Sequence, residues 1–415
     1  MTKAGSPALA SLVRAGDAQS EAIAITPFVW QVNDISNLYL INTADGDVLI
    51  NTGFMDNSER NRALLAPHRS GPLRRIVLTQ SHADHFGGVD AFREAETIVI
   101  GGPGFDQAWA DMKRLQPFFG PRSAKLWGNT LKRGGAPRPA PDVKPDVLVD
   151  RTLAFEQGGR RFELIHAPEG ETVDGLIVWL PNERIAFTGN LTGPVWLSMP
   201  FLCTVRGDKP RAVWNYLASL EKLRALDADM VVTGHGEPIR GRERIRADID
   251  RMYGAVSWVR DYTLDGMNAG KTVHELMRSV RLPDHLAIGE FHGKVSWAVR
   301  SIWDQYAGWV HYEDGTTALY GVPRSDIDAE LAELAGIQAL CELARRHLGA
   351  ARSLQAIHLL DIALAGEPDN REALALRKTA HEHLLRASGG TNLSETMWLR
   401  SEIAAMQATL GEEQS

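Results

Sequence analysis

The chain has 415 residues, of which 44% are hydrophobic and 23% charged, and its formal net charge is −7. These values are typical of a globular protein of about two or three domains. Binding to nucleic acid or to an anionic membrane surface is not expected, because the sequence has no dense cluster of Lys and Arg.

The cysteine content and the hydropathy of the sequence argue against a secreted or membrane-spanning protein. Cys203 and Cys341 are the only cysteines, so neither a disulfide framework nor a Cys-x-x-Cys metal site is expected. Residues 1–20 contain no apolar stretch typical of a signal peptide, and no apolar run reaches the roughly 18 residues of a membrane span. We therefore expect a cytoplasmic location.

The first predicted domain covers residues 20–243 and alternates short β-branched runs with helical stretches, which indicates a layered α/β domain. One helix is expected around residues 211–226. A hairpin is expected from two short runs joined through Ala44-Asp45-Gly46. The predicted strands are residues 37–41, 47–50, 76–79, 97–100, 176–180 and 230–233.

Two helical regions are expected after this domain. Residues 244–325 show helical spacing and many aromatic residues. Residues 353–387 are typical of a helical hairpin, similar to a single tetratricopeptide-type unit, within a region of residues 326–415. One such unit cannot form a solenoid, so we expect it to pack against a neighbour. One apolar helix face is predicted in front of it, formed by Leu331, Leu334, Leu340, Leu343 and Leu348.

The run Gln80-Ser81-His82-Ala83-Asp84-His85 carries the strongest chemical signal. It follows a predicted strand and places three metal donors, His82, Asp84 and His85, within four residues. A loop after a strand can turn such side chains toward one point, and the glycines that follow permit the bend. Imidazole and carboxylate donors suit zinc, with iron or manganese as alternatives. The run therefore predicts a metal site.

This run resembles the His-x-His-x-Asp-His signature of the metallo-β-lactamase superfamily, with Gln80 in the first position. Two later segments are also similar to that superfamily: one places Glu171 where a third His is usual, and the other ends in His235. The resemblance implies a four-layer αββα fold and one or two zinc ions per chain. One ion would be held by His82, Glu171 and in part Gln80. The other would be held by Asp84, His85 and His235.

Three positions depart from the superfamily pattern: Gln80, Asn51 and Asn190. Asn51 and Asn190 stand where Asp is usual, and an amide behind the ligands weakens metal affinity by about tenfold or more. Asn190 can still coordinate one ion or donate a hydrogen bond to a substrate oxygen. Either the site favours an anionic substrate, or it holds only one metal tightly. His166 precedes Glu171 and is expected to be structural.

The rest of the chain resembles the linear alkyl sulfatase family, through residues 204–217, 267–309 and 367–370. The resemblance implies a dimerisation domain at residues 244–325 and a homodimer. The lipid-carrier-like domain usual in that family has no counterpart before Ser415, so a preference for long-chain detergents is in doubt. Arg206 and Arg211 offer guanidinium groups to a sulfate or carboxylate, or they lie on a solvated helix start. The apolar residues 196–201 line a pocket or belong to the core.

Taken with the predicted metal site, the resemblance to the linear alkyl sulfatase family implies a zinc-dependent hydrolase that cleaves a small or amphiphilic organic sulfate ester. Asp84 and Asn190 are the candidate catalytic residues, and Asp84 acts as a ligand or partly as a proton acceptor. Arg206, Arg211 and Asn190 are the candidate substrate-binding residues. Two alternatives stay open: a hydrolase of a lactone, thioester or β-lactam, and a non-catalytic binding protein with a degraded metal site.

Overall fold

Two β-sheets form the centre of the first half of the chain. The computed structural model describes residues 8–131 and 141–412. The strands of the first sheet are β1 (Ile23–Thr26), β2 (Val29–Val32), β3 (Leu38–Thr43), β4 (Gly46–Ile50), β5 (Leu73–Val77), β6 (Ile98–Gly101) and β7 (Val147–Leu148). They lie in chain order. Pairing is antiparallel from β1 to β4 and parallel from β4 to β7.

The second sheet is mostly antiparallel. Its strands are β8 (Thr152–Gln157), β9 (Arg160–His166), β10 (Leu176–Leu180), β11 (Ile185–Gly189), β12 (Met230–Thr233) and β13 (Ile239–Arg240). Their order is β13-β12-β11-β10-β9-β8, and only β11 and β12 pair in parallel. All six strands predicted from apolar runs are present, with ends within three residues of the prediction, because these runs are buried between packed layers.

Helices cover the outer faces of both sheets. The first ten are α1 (Ala8–Leu12), α2 (Ser58–Leu65), α3 (Ala83–Phe86), α4 (Val89–Phe92), α5 (Phe105–Arg114), α6 (Gln116–Leu131), α7 (Val213–Ala225), α8 (Arg242–Asn268), α9 (Val273–Ser279) and α10 (Val295–Ala307). One apolar cluster lies between the sheets, a second beneath α5, and a third beneath α7 to α10. The predicted four-layer αββα arrangement is confirmed.

The helices after residue 242 continue the outer layer of the sandwich. Ile249 of α8 and Val299 of α10 belong to the same buried cluster as Val231 of β12. Burial of this shared apolar surface holds the helical region against the second sheet. Residues near the start of α10 can therefore reach the edge of the two-sheet sandwich.

The last helices are α11 (Asp328–Ala335), α12 (Ile337–Gly349), α13 (Ser353–Gly366), α14 (Arg371–Ala387) and α15 (Leu393–Leu410). The predicted hairpin over residues 353–387 is formed by α13 and α14. The prediction of a single apolar helix face N-terminal to this hairpin is wrong. Gly336, at φ 82°, separates α11 from α12, and Leu334 is 86% exposed. The helical register cannot continue through this break. Among the described residues, no helix is long and apolar enough to cross a membrane.

Candidate metal centre

Asp84, His85 and His235 form a compact group of three donors. Asp84 and His85 lie in α3, which follows β5, and His235 follows β12. One donor atom from each of these residues lies within 4.8 Å of the others, and no other such group is present in residues 8–131 and 141–412. Both imidazoles are buried. Two strand ends and one short helix therefore bring together residues that are up to 151 positions apart in the chain.

The protonation states of this group suit a divalent cation. Burial lowers the pKa of His85 to about 4 and also lowers the pKa of His235. Burial by itself would raise the pKa of Asp84, but the neighbouring imidazoles outweigh it, so the pKa is lowered. A neutral imidazole and an ionised carboxylate are the forms that donate to a metal. The donor set therefore fits the divalent metal that the sequence predicts.

Ser36 touches all three donors, and sequence reasoning missed it. It lies in the turn between β2 and β3. Its hydroxyl donates to Oδ2 of Asp84 and lies 3.0 Å from Nε2 of His85 and 3.3 Å from Nε2 of His235. A serine in a turn carries no metal signal in a sequence, because its role here comes from how the turn packs.

Glu171 is the centre of the second half of the site. Its side chain is 8% exposed. Burial by itself would raise its pKa, but contacts with His82 and other cationic neighbours lower the pKa well below its usual value. Oε2 of Glu171 lies 3.4 Å from Nδ1 of His82 and accepts a 2.8 Å hydrogen bond from Asn190. The buried carboxylate is therefore ionised and surrounded by polar partners.

Gln80 and Asn190 connect the two halves. The backbone N–H of Asn190 donates a 3.0 Å hydrogen bond to Oε1 of Gln80, which leaves the amino group of Gln80 facing His82 at 3.0 Å and Glu171 at 3.3 Å. Nδ2 of Asn190 lies 3.2 Å from Nε2 of His235. Asn190 thus occupies the position between Glu171 and His235, as an amide that donates hydrogen bonds.

The two arginines predicted to bind substrate have different surroundings. Arg211 is 2% exposed. Its guanidinium donates to the backbone carbonyl of Glu171 at 2.9 Å and to that of Phe201. Arg206 keeps partial exposure, and its guanidinium lies 3.4 Å from Nε2 of His82. Arg211 therefore holds the backbone of Glu171 in place, whereas Arg206 lies partly exposed beside His82.

Asp208 is an acidic neighbour that sequence reasoning missed. Its carboxylate lies 3.5 Å from Arg206 and 3.8 Å from His82. Burial by itself would lower the pKa of His82, but the contacts with Asp208 and Glu171 outweigh burial and raise it to about 9. The metal-free protein therefore carries a cationic His82 beside Arg206, with Asp208 as a partial counter-charge.

His292 is the third residue at the site that sequence reasoning missed. It precedes α10, in the helical region, and its Nε2 lies 3.5 Å from Oε1 of Glu171. Burial lowers the pKa of His292 to about 4, so the imidazole is neutral at pH 7. The only sequence signal was an isolated His in a Gly-rich turn, Phe291-His292-Gly293, which by itself does not indicate a site.

Several other residues singled out in the sequence pack in the core or bond to the backbone. Trp196 and Met199 pack in the cluster beneath α7 to α10, so that part of the apolar segment belongs to the core. Phe201 contacts the edge of the His292 ring, with 5.0 Å between ring centres. Nε2 of His166 lies 2.9 Å from the carbonyl of Val173 and is not among the donors described above.

Two family models match this chain. The model of the metallo-beta-lactamase superfamily matches residues 32–235, which include every donor of the compact group. The model of the alkyl sulfatase dimerisation domain matches residues 272–400, which include His292. The chain belongs to the metallo-β-lactamase superfamily.

Several curated relatives match this chain over most of its length. A linear primary-alkylsulfatase of Pseudomonas sp. (strain ATCC 19151) is 30% identical over 329 residues, which cover 72% of this chain and 60% of that protein. An (R)-specific secondary-alkylsulfatase of Pseudomonas sp. is 24% identical over 397 residues, covering 87% and 59%. The chain therefore combines a metallo-β-lactamase superfamily domain with an alkyl sulfatase dimerisation domain and is similar to curated alkylsulfatases.

Solved structures support the same fold. A stereoselective inverting sec-alkylsulfatase from Pseudomonas sp. superposes with a TM-score of 0.80 at 22% identity, covering 95% of this chain and 66% of that one. This similarity concerns the arrangement of sheets and helices. The chain spans about 60% of the length of the curated alkylsulfatases it matches.

Proposed function

We propose that this protein is a zinc-dependent hydrolase of small or amphiphilic organic sulfate esters. The observation that carries the proposal is the compact group of Asp84, His85 and His235, with the guanidinium of Arg206 beside His82 in the same site. The printed names of its relatives are those of alkylsulfatases. Two imidazoles and one carboxylate with an open position are a donor set typical of catalytic zinc.

Each side chain of the site has a proposed role in metal binding or substrate binding. A divalent ion supplies Lewis acidity, which polarises an ester and lowers the pKa of water toward about 7. Asp84, His85 and His235 would hold the ion, and the hydroxyl of Ser36 keeps the Asp84 carboxylate turned toward the imidazoles. Arg206 binds the anionic sulfate group, since a guanidinium presents planar donors that match its oxygen atoms.

Asn190 is proposed to orient the substrate. Its Oδ1 is buried and has no hydrogen-bond partner among the described residues, while its amino group contacts Glu171 and His235. If a substrate replaced Glu171 or His235 as its partner, the amino group of Asn190 would donate a hydrogen bond to a substrate oxygen.

Metal quantification joined to an ester panel tests this function. Purified protein reconstituted with Zn²⁺ is expected to hold at least one ion per chain and to hydrolyse an alkyl or aryl sulfate. The panel also contains a lactone, a thioester and a β-lactam. Turnover of one of these without any sulfate hydrolysis would favour the carboxyl-directed alternative. A metal content far below one ion per chain would support a binding protein instead.

A homodimer is proposed through residues 244–325. Within this region Trp309, Tyr312 and Tyr320 are 76%, 90% and 70% exposed. A group of exposed aromatic residues in one segment is typical of a protein interface. The match to an alkyl sulfatase dimerisation domain makes a second copy of this chain the proposed partner.

We also propose a cytoplasmic location for this protein. Cys203 and Cys341 are unpaired, as is usual for proteins of a reducing compartment.

A further inference from the structure

The turn that carries His292 is held against the two-sheet sandwich by backbone contacts. Met199 donates a 2.7 Å hydrogen bond to the carbonyl of Gly289, and Gly293 donates a 3.1 Å bond back to the carbonyl of Met199. A Cβ atom on Gly293 would lie 2.1 Å from the carbonyl oxygen of Pro200, so only glycine permits this close approach. The turn therefore lies directly on the first domain.

Asn392 holds the same turn from the far end of the chain. It is 1% exposed, and its amino group donates 2.9 Å hydrogen bonds to the backbone carbonyls of Glu290 and His292. Its Oδ1 accepts a 3.1 Å hydrogen bond from the backbone N–H of Glu395, which caps α15. One buried amide therefore has two tasks, because its oxygen begins the helix and its amino group fixes the turn.

An ion pair makes a second connection between the turn and α15. Nζ of Lys294, which directly follows the turn, lies 2.9 Å and 2.8 Å from the two carboxylate oxygens of Glu395. Both side chains are 24% exposed. A partly exposed ion pair contributes little, because water screens its charges. The buried amide of Asn392 is therefore the stronger connection.

The position of α15 is itself fixed by the rest of the molecule. Leu393 and Met397 are buried in one apolar cluster with residues of α1 and α6. Further along the helix, Glu402 forms ion pairs with Lys125 of α6 and Arg377 of α14. Because α15 is held by the first domain and by the helical hairpin, its N-terminus is a fixed support for the turn.

The turn matters for the site because it determines where His292 lies. Nε2 of His292 lies 3.5 Å from Oε1 of Glu171, and its ring contacts the ring of Phe201. The imidazole is 9% exposed, so a shift of the turn would expose the carboxylate of Glu171 on this side. No side chain of the site described above comes from α11 to α15, so this turn is a path by which the last helices act on it.

We propose that Asn392 is a positioning residue for hydrolysis, which acts through the backbone of the turn and keeps His292 against Glu171. This inference rests on the proposed hydrolase function and gives the C-terminal helices a part in it. The side-chain hydrogen bonds of Asn392 go to backbone groups, so its replacement displaces a side chain of the site without removing a metal donor. A displacement of about 1 Å can lower turnover by about a hundredfold.

A variant that keeps the cap but loses the amino group separates the two tasks of Asn392. Asn392→Ser retains an oxygen that caps α15 and has no amino group for the turn. We expect it to lower kcat for an alkyl sulfate by about tenfold to a hundredfold. KM and zinc content are expected to stay near the wild-type values, because Arg206 and the metal donors are unchanged.

Asn370→Ser is the matched control for this variant. Asn370 caps α14 in the same way, and its amino group donates to Glu367 instead of to the turn. Both variants therefore replace the cap of a C-terminal helix, but only one of them changes the support of His292. We expect Asn370→Ser to keep the wild-type kcat.

Hydrogen–deuterium exchange measures the turn directly and needs no substrate. The amides of Gly289 and Gly293 donate to the backbone carbonyls of Leu197 and Met199, which protects them from exchange. Asn392→Ser is expected to speed exchange of a peptide over residues 286–296 by about tenfold, because the turn opens more often. Asn370→Ser is expected to leave this exchange at the wild-type rate.

The outcomes distinguish this inference from the hydrolase proposal. Wild-type kcat in Asn392→Ser, or wild-type exchange of its turn, would overturn the inference and leave the hydrolase proposal standing. The same loss of kcat in Asn370→Ser would assign the effect to general destabilisation and would also overturn the inference alone. A wild type that binds zinc and hydrolyses no sulfate ester would overturn both.

Discussion

Nδ2 of Asn51 lies 3.1 Å from Nδ1 of His85, on the side of the ring away from Asp84 and His235. The orientation of the amide is determined by its other end, because Oδ1 of Asn51 accepts a 2.9 Å hydrogen bond from the backbone of Thr79. The group that faces the imidazole is therefore a donor. A carboxylate in this place would accept a hydrogen bond from the N–H at Nδ1 and leave the Nε2 lone pair free for a metal.

We expect Asn51→Asp to strengthen zinc binding by about tenfold, because it supplies this acceptor behind His85. The dissociation constant is measured by competition with a chelator. Asn370→Asp adds the same charge at the cap of α14, far from the donors, and is expected to leave zinc affinity unchanged. An unchanged or weaker affinity in Asn51→Asp would show that the proton on His85 does not limit binding.

His85→Ala is expected to remove the bound zinc together with hydrolysis. The loss in zinc affinity should exceed the roughly 10- to 100-fold effect of removing a partner behind a ligand, since a donor itself is lost. Zinc content and turnover of an alkyl sulfate are measured on the same preparation, with His166→Ala as the control. Full turnover in His85→Ala would contradict the metallohydrolase proposal.

Arg206→Ala is expected to lower kcat/KM for an alkyl sulfate by about tenfold to a hundredfold, because a charged hydrogen bond to the anion is lost. Zinc content should stay at the wild-type level, since Arg206 is a cation and not a donor. Arg300→Ala, which removes a half-exposed guanidinium paired with Asp304 in α10, serves as the control. Sulfate hydrolysis that is unaffected by Arg206→Ala would rule out this residue as the anion-binding group.

The stability of the metal-free protein is expected to depend on His82 above neutral pH. The pKa of His82 rises from 6.5 to about 9, so its proton stabilises the folded state fully below pH 6.5, and this contribution is lost as the pH rises through 9. The free energy of unfolding of the wild type minus that of His82→Asn should therefore decrease over this range. Urea titrations in the presence of EDTA measure it. A constant difference would mean that Asp208 and Glu171 do not stabilise a charged His82.

Trp309→Glu combined with Tyr312→Glu is expected to convert the dimer to a monomer, since two exposed aromatic side chains would be replaced by charges at the interface. Light scattering at micromolar concentration measures the mass. Leu334→Glu changes an equally exposed apolar residue outside residues 244–325 and is expected to remain dimeric. A wild type of monomeric mass would refute the dimer itself.

The sequence by itself determined six of the thirteen strands in the described residues, several helices, and the part of the metal centre formed by residues adjacent in the chain. Val231 and its neighbours are apolar because two layers bury them, so a local pattern was enough to predict β12. His82, Asp84 and His85 are adjacent in the chain, and one turn after a strand brings them to the site. Such features depend on residues a few positions apart, which is the range over which periodicity and motif spacing carry information.

Only the tertiary structure decided which distant residues share the site. Ser36, Asp208 and His292 come from three loops with no chemical signal of their own, and they reach the donors because the loops pack together at one edge of the sandwich. Packing also separated two arginines of identical chemistry, burying Arg211 against backbone carbonyls and leaving Arg206 beside His82. Such contacts between residues far apart in the chain depend on the shape of the whole fold, which local residue patterns do not encode.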